Sequence, residues 1–125
     1  MMREFYSEGA RWTVLLHPAV EDWISDPQLV SESERRATLE ALAALEFAGP
    51  VLGRPLVDRI HGSRFANMKE LRPLGTHVRL LFAFDPQRSA IVLVAGDKAG
   101  RWAEWYRVNI PIADERMDEH LRSQQ

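Results

Sequence analysis

The chain contains no cysteine. A disulfide framework and a thiolate metal site are therefore both excluded. It also lacks any long hydrophobic run: no stretch approaches the roughly 20 apolar residues that a membrane span needs. The start, Met1-Met2-Arg3-Glu4-Phe5-Tyr6, has no uninterrupted apolar segment of the kind a secretory leader carries. A soluble, cytoplasmic protein with no membrane role is expected. There is no internal repeat, linker or low-complexity segment. There is also no glycine loop of the phosphate-cradling type and no nucleophile elbow. The four histidines (His17, His61, His77, His120) are scattered without ligand-like spacing, which argues against a zinc site. No metal or other cofactor is expected. His61 and His77 read as surface or capping residues, with a role as base left open.

What is present suits one compact domain over residues 1–125. The chain is 46 % apolar with four Trp, five Phe and two Tyr, enough for a real core. The net charge of −2 looks wrong for a partner of nucleic acid, but the charges are segregated. From Gly53 to Arg107 there are ten Lys/Arg against five Asp/Glu, whereas the flanks hold six against thirteen. A basic middle between acidic ends can hold a polyanion at one surface without a basic total. An unevenly charged, solvated surface would read the same way.

Periodicity gives an outline of the elements. Arg11 to Leu16 reads as a short strand. His17-Pro18 opens a helix with Glu21 and Asp22 at its positive end, Val20 and Trp23-Ile24 facing inward, and Asp26-Pro27 ending it. Ser31 with Glu34 three residues on is a capping box. The helix it starts carries an apolar stripe (Ala37, Leu39, Leu42, Ala44, Leu45, Ala48) and stops at Gly49-Pro50. Its acidic positions Glu32, Glu34, Glu40 and Glu46 read as a solvated face, and the two helices as an antiparallel hairpin. Val51 to Asn67 is a loop with a possible short strand at Val57 to Ile60. Met68–Arg72, His77–Phe84 and Ala90–Ala95 read as three strands. The last is apolar enough to be central and buried on both faces. Trp102, Trp105 and Tyr106 begin a helical segment that Pro111 is expected to break, with a final helix from about Pro111 to Leu121. The order β-α-α-β-β-β-α describes an α+β fold: a mainly antiparallel sheet packed against an N-terminal helical hairpin and a C-terminal helix.

Asn67-Met68-Lys69-Glu70-Leu71-Arg72, then Val78-Arg79-Leu80-Leu81-Phe82-Ala83-Phe84-Asp85, then Ala95-Gly96-Asp97-Lys98 resemble the successive strand motifs of the HigB-like toxins. These form a branch of the RelE/ParE superfamily that includes phage-derived members. Gly49 to Leu56 resembles the segment joining helices to sheet in that branch, and Trp105-Tyr106 with Ile110-Pro111 resembles an actinobacterial version. The resemblance covers roughly Gly49 to Leu121; the first 48 residues match in architecture only. It implies a RelE/ParE-like fold and the toxin of a type II toxin–antitoxin pair, inhibiting translation by cleaving mRNA, usually at the ribosome. It further implies neutralisation by a helix-turn-helix antitoxin of the HigA kind, with operator DNA contacted only through that antitoxin. Two alternatives stay open: a non-catalytic ParE-like inhibitor of DNA gyrase, and a degenerate phage-derived binding module.

Metal-independent RNA cleavage can use the 2′-OH as nucleophile on the adjacent phosphate. It needs a proton acceptor for that hydroxyl, cations for the phosphate oxygens and an acid for the leaving 5′ oxygen. Alternation places Arg79 with Leu81 and Ala83, opposite Val78, Leu80, Phe82 and Phe84. The family sets its catalytic arginine in a matching Arg-x-x-aromatic context, so Arg79 is expected to clamp phosphate, unless it pairs with an acid such as Glu70. Arg72 matches the arginine of the family's Glu-Leu-Arg motif, as an RNA contact or a salt-bridge partner. Glu70 would be a proton acceptor or would orient an arginine. Related ribonucleases often have Lys there, which leaves the base open. Lys98 matches the basic residue after the last strand and could protonate the leaving oxygen, hold phosphate, or simply be solvated. Lys69, Arg64 and Tyr106 are candidate RNA-binding residues. Lys69 and Arg72, three apart, share a site only if the strand ends or bulges between them. Of Trp102, Trp105 and Tyr106, at least two are expected in the core, with Tyr106 the exception that stacks on a base.

Overall fold

A computed structural model describes residues 1–7 and 11–125. In chain order the elements are β1 (Arg3–Phe5), β2 (Val14–Leu16), α1 (Pro18–Ser25), α2 (Glu32–Ala48), β3 (Val57–Arg59), β4 (Lys69–Leu71), β5 (Val78–Phe84), β6 (Ala90–Asp97) and α3 (Trp102–Ser123). They build an α+β fold around a six-stranded sheet in the order β1-β2-β6-β5-β4-β3. The sheet is mixed: β2 runs parallel to β6 and the other pairs are antiparallel. Two strands lengthen the order read from periodicity. β3 fills the possible strand after the helices. β1 had no signal, because Arg3-Glu4-Phe5 is short and mostly exposed and becomes a strand only through its pairing with β2.

Local chemistry explains the helix starts. The His17 ring accepts the Ala19 N–H (3.0 Å), with Pro18 at the first helical position. At α2 the Ser31 hydroxyl accepts the Glu34 N–H (3.1 Å) and the Glu34 carboxylate accepts the Ser31 N–H (2.8 Å), so both halves of the capping box form. α2 stops at Gly49, whose φ of +61° disfavours a side chain. A Cβ there would also collide with the Trp12 indole.

α1 and α2 cover one face of the sheet. Val20, Ile24, Leu42 and Leu45 pack there on Val14, Leu16, Val78, Leu80, Phe82 and Val92. α3 covers the other, where Ala113 and Met117 pack on Leu81, Ala83, Ile91, Leu93 and Val94. β5 serves both cores by alternation, and β6 is buried on both faces over most of its length. Between the pairs Leu81–Val94 and Phe82–Val92 an extra residue, Leu93, bulges out of β6. Its carbonyl is satisfied by the Arg116 guanidinium at 2.7 Å.

Two expectations are corrected. Glu46 is not on a solvated face: it is 1 % exposed. Its carboxylate accepts the Ser7 N–H (3.2 Å) and hydroxyl, and its carbonyl accepts the N–H groups of Arg11 and Trp12. A buried carboxylate is tolerable because donors surround it. Nor does Pro111 break the last helix, which runs unbroken from Trp102 to Ser123. Pro111 is exposed, and partly or fully buried residues on both sides of it (Trp105, Ile110, Ala113, Met117) pack on the same sheet. That packing holds the helical path across the one backbone bond that Pro cannot make.

Among the described residues no helix is long and apolar enough to cross a membrane.

Candidate functional site

Strand register decides which of the singled-out residues meet. β4 pairs with β5 so that Glu70 lies opposite Leu81 and Lys69 opposite Phe82. Glu70 therefore faces α3, and Lys69 faces the layer of α1 and α2, away from it. β4 ends at Leu71, which frees Arg72 from the alternation. Its Nη1 lies 3.4 Å from Asp58 Oδ2 and its Nε 3.7 Å from Glu70 Oε1. Arg79 sits opposite Gly96 on β6. One residue past β6, Lys98 is tied down by its N–H to the His77 carbonyl (3.0 Å). From α3 the Tyr106 hydroxyl donates to Glu70 Oε2 at 2.5 Å. Glu70, Arg72, Arg79, Lys98 and Tyr106 thus converge from four separate parts of the chain on the sheet face under the start of α3.

The proximity shifts the titration of the groups involved. Burial pulls the Lys98 ammonium below its ordinary pKa, the Arg79 charge adds to this, Glu70 opposes it and Arg72 adds again. The Tyr106 phenol is pushed well above its ordinary value, first by burial and then by the hydrogen bond to Glu70 and that carboxylate's charge, against a smaller effect of Arg79. It stays protonated and is a donor, not a base. Arg79 is 7 % exposed. Its Nη1 donates to the carbonyls of Val78 (2.7 Å) and Thr76 (3.3 Å), while its buried Nε has no partner. Among the described residues Arg79 makes no ion pair; the Glu70 carboxylate is shared by Tyr106 and Arg72 instead. A buried guanidinium with an unused donor keeps capacity for an anion.

Arg72 and Arg79 line a shallow depression of about 310 Å³ together with Arg54, Thr76 and the Pro73–Gly75 turn. Arg54 and Asp58 had not been singled out in the sequence. Asp58 lies between Arg54 (3.1 Å) and Arg72 (3.4 Å). Its carboxyl is held below the usual range, first by the Arg59 N–H and then by the Arg54 charge, with burial acting the other way. The signal for both was the four-residue spacing of Arg54 and Asp58, together with alternation once β3 pairs with β4 and sets Asp58 beside Glu70.

Two expected RNA contacts lie elsewhere. Lys69 is on the opposite face. Arg64 is exposed but committed to the far half of α3: its Nη2 lies 2.5 Å from Asp118 Oδ2 and its N–H donates to Asp114 Oδ2 (2.9 Å). The three aromatics also sort differently from the expectation. Trp105 packs against Gly96, where a Cβ would come within 2.5 Å of its ring nitrogen. Tyr106 is half-buried on Glu70, and Trp102 is the exposed one, at 62 %. His120 is no free surface residue: its Nε2 lies 2.7 Å from the buried Asp85 Oδ2, which also accepts from Gln124 (2.7 Å). Among the described residues no group of three or more His, Asp or Glu is placed to hold a metal.

Comparison with known proteins gives the class. The family profile "Phage derived protein Gp49-like (DUF891)" matches residues 28–118. Over 111 residues the chain is 50 % identical to "Putative toxin HigB3" of Mycobacterium tuberculosis (strain ATCC 25618 / H37Rv), covering 89 % of this chain and 95 % of that protein. Over 109 residues it is 50 % identical to "Putative toxin HigB2" of the same organism, covering 79 % of this chain and 54 % of that protein. The chain belongs to the Gp49-like phage-derived family, among the HigB-like toxins of the RelE/ParE superfamily.

Proposed function

We propose that the chain arrests translation as a metal-independent mRNA endoribonuclease acting at the ribosome, on the α3-facing cluster of Arg72, Arg79, Lys98, Glu70 and Tyr106. The observation that carries this reading is the convergence of three cations, separated in sequence, around one acid and one phenol. The 2′ oxygen attacks the adjacent phosphorus, the bond to the 5′ oxygen breaks, and a 2′,3′-cyclic phosphate is left. Charge builds on the non-bridging oxygens, and Arg79 and Arg72 are the groups to neutralise it. Lys98, its acidity raised by burial and by Arg79, is placed to give its proton to the leaving 5′ oxygen. Among the described residues Glu70 is the carboxylate that meets both Tyr106 and Arg72. It accepts the 2′ proton if Tyr106 lets go of it, and otherwise orients Arg72.

The same reading assigns a RelE-like strand topology, a cytoplasmic site of action and a helix-turn-helix antitoxin of the HigA kind. Operator DNA is then contacted only through that antitoxin. Expression of the chain in bacteria with mapping of mRNA 5′ ends tests the reading. New ends within translated frames, lost in Arg79→Ala, are expected. Growth arrest without new ends would overturn it in favour of a non-catalytic inhibitor.

A further inference from the structure

The aromatic residues at the start of α3 divide into one that is free and two that are engaged. Trp105 rests on the backbone of Gly96, edge-on to Tyr106 with ring centroids 5.2 Å apart. Tyr106 is spent on Glu70. Trp102 is 62 % exposed, although an indole of this size gains by burial. It stands one helical turn before Tyr106, on the same side of the helix. It also follows Lys98 by four residues, in a turn fixed by the Arg101 N–H to the Lys98 carbonyl (3.2 Å). The neighbouring Arg101 pairs with Glu104 at 2.7 Å, a carboxylate that Arg107 shares at 3.3 Å. Outside that group the cation in this turn is Lys98 and, beyond it, Arg79 and Arg72, whose charges act on Lys98. The exposed indole starts about 6 Å of helix rise before the cluster's phenol, a spacing comparable to one nucleotide step.

We propose that Trp102 is a base-stacking platform: it takes the face of an unpaired RNA base next to the phosphate bound by Arg72, Arg79 and Lys98. This rests on the ribonuclease reading and adds its substrate contact. Stacking on an aromatic face is sequence-tolerant and independent of charge, whereas the cations supply the salt-dependent part of binding. Trp102 therefore contributes affinity for single strands without fixing the sequence cut.

The test uses the whole protein and a ten-nucleotide single-stranded RNA carrying 2′-O-methyl groups, which binds but cannot be cut. A backbone-only strand of the same length, with abasic sites, is the second probe. Trp102→Leu weakens binding to the RNA by about tenfold and leaves the slope of affinity against salt unchanged. Trp102→Phe keeps most of the affinity, and wild type and Trp102→Leu bind the abasic strand alike. As the side chain is exposed, melting of the variants stays at the wild-type value. Wild-type binding to RNA that Trp102→Leu does not weaken overturns the proposal alone. If that variant instead loses antitoxin affinity, Trp102 is a protein-docking residue. No binding of either strand by the wild-type protein overturns this proposal, whereas the ribonuclease reading stands or falls on the mRNA 5′ ends made at the ribosome.

Discussion

Replacing Tyr106 by Phe removes a single oxygen and with it the hydroxyl hydrogen bond to Glu70 Oε2, 2.5 Å long. Glu70 is 6 % exposed, and its ion-pair partner Arg72 Nε is 3.7 Å away, beyond good hydrogen-bond length. A hydrogen bond to a charged group contributes about 1.5–3 kcal/mol. Tyr106 is only half-buried, so water can partly replace the lost donor and the lower end, about 1.5–2 kcal/mol, is expected. A chain of 125 residues unfolds with an entropy of about 260 cal/mol/K near 60 °C, so the melting temperature should fall by about 6–8 °C. The loss has a pH signature. The phenol's pKa is raised in the folded protein, so the proton is bound more tightly there than in the unfolded chain. The stabilisation is complete below the unfolded value near 10 and is lost as pH rises through the folded value. Wild-type protein should therefore lose stability above about pH 10, and Tyr106→Phe should lack that part of the slope. Thermal unfolding followed by far-UV circular dichroism between neutral and alkaline pH reads both effects. A melting point unchanged within about a degree, or an identical alkaline slope, would refute the coupling of Tyr106 to Glu70.

Three further outcomes are expected. Asp85 is buried, which alone would raise its pKa, but donors from His120, the Ser89 N–H and Gln124 hold it below the usual value; its stabilisation is present above the unfolded value near 3.9 and fades as pH falls through the folded one. Urea unfolding of Asp85→Asn should show a shallower acid dependence below about pH 4 than wild type. Gly96→Ala forces a Cβ against the Trp105 indole and should cost about 1–3 kcal/mol, with a shift in tryptophan emission alongside the lower urea midpoint. Pro111→Ala restores a backbone donor inside a continuous, exposed stretch of α3 and should stabilise by at least about 1 kcal/mol. A drop in melting temperature would mean that the proline path is required.

Where neighbours in sequence are also neighbours in space, the structure was legible. The Ser31–Glu34 capping box, the alternation of β5 and the double-sided burial of β6 all follow from local pattern. Arg72, Arg79, Lys98 and Glu70 were readable through motif resemblance, and the structure brings them together. What local pattern could not show depended on distant partners. Glu46 looks solvated until Ser7, far away in sequence, folds over it. Arg64 looks like a free cation until the carboxylates of Asp114 and Asp118 arrive from α3. Lys69 looks like part of a basic motif until register turns it to the other face. That Trp102 is the exposed ring and Tyr106 the one on Glu70 depends on the packing of α3 on the sheet, which local pattern does not show.

The reaction proposed for the cationic cluster is cleavage of RNA through the RNA's own 2′ oxygen. The direct measurement is the chemistry of the ends made by purified protein in a translating extract, for wild type and Arg79→Ala. Upstream fragments ending in a 2′,3′-cyclic phosphate are expected, with a loss of rate of about 10²-fold or more in Arg79→Ala and antitoxin binding intact. Fragments ending in a 3′ hydroxyl, or an undiminished rate in the variant, would contradict it.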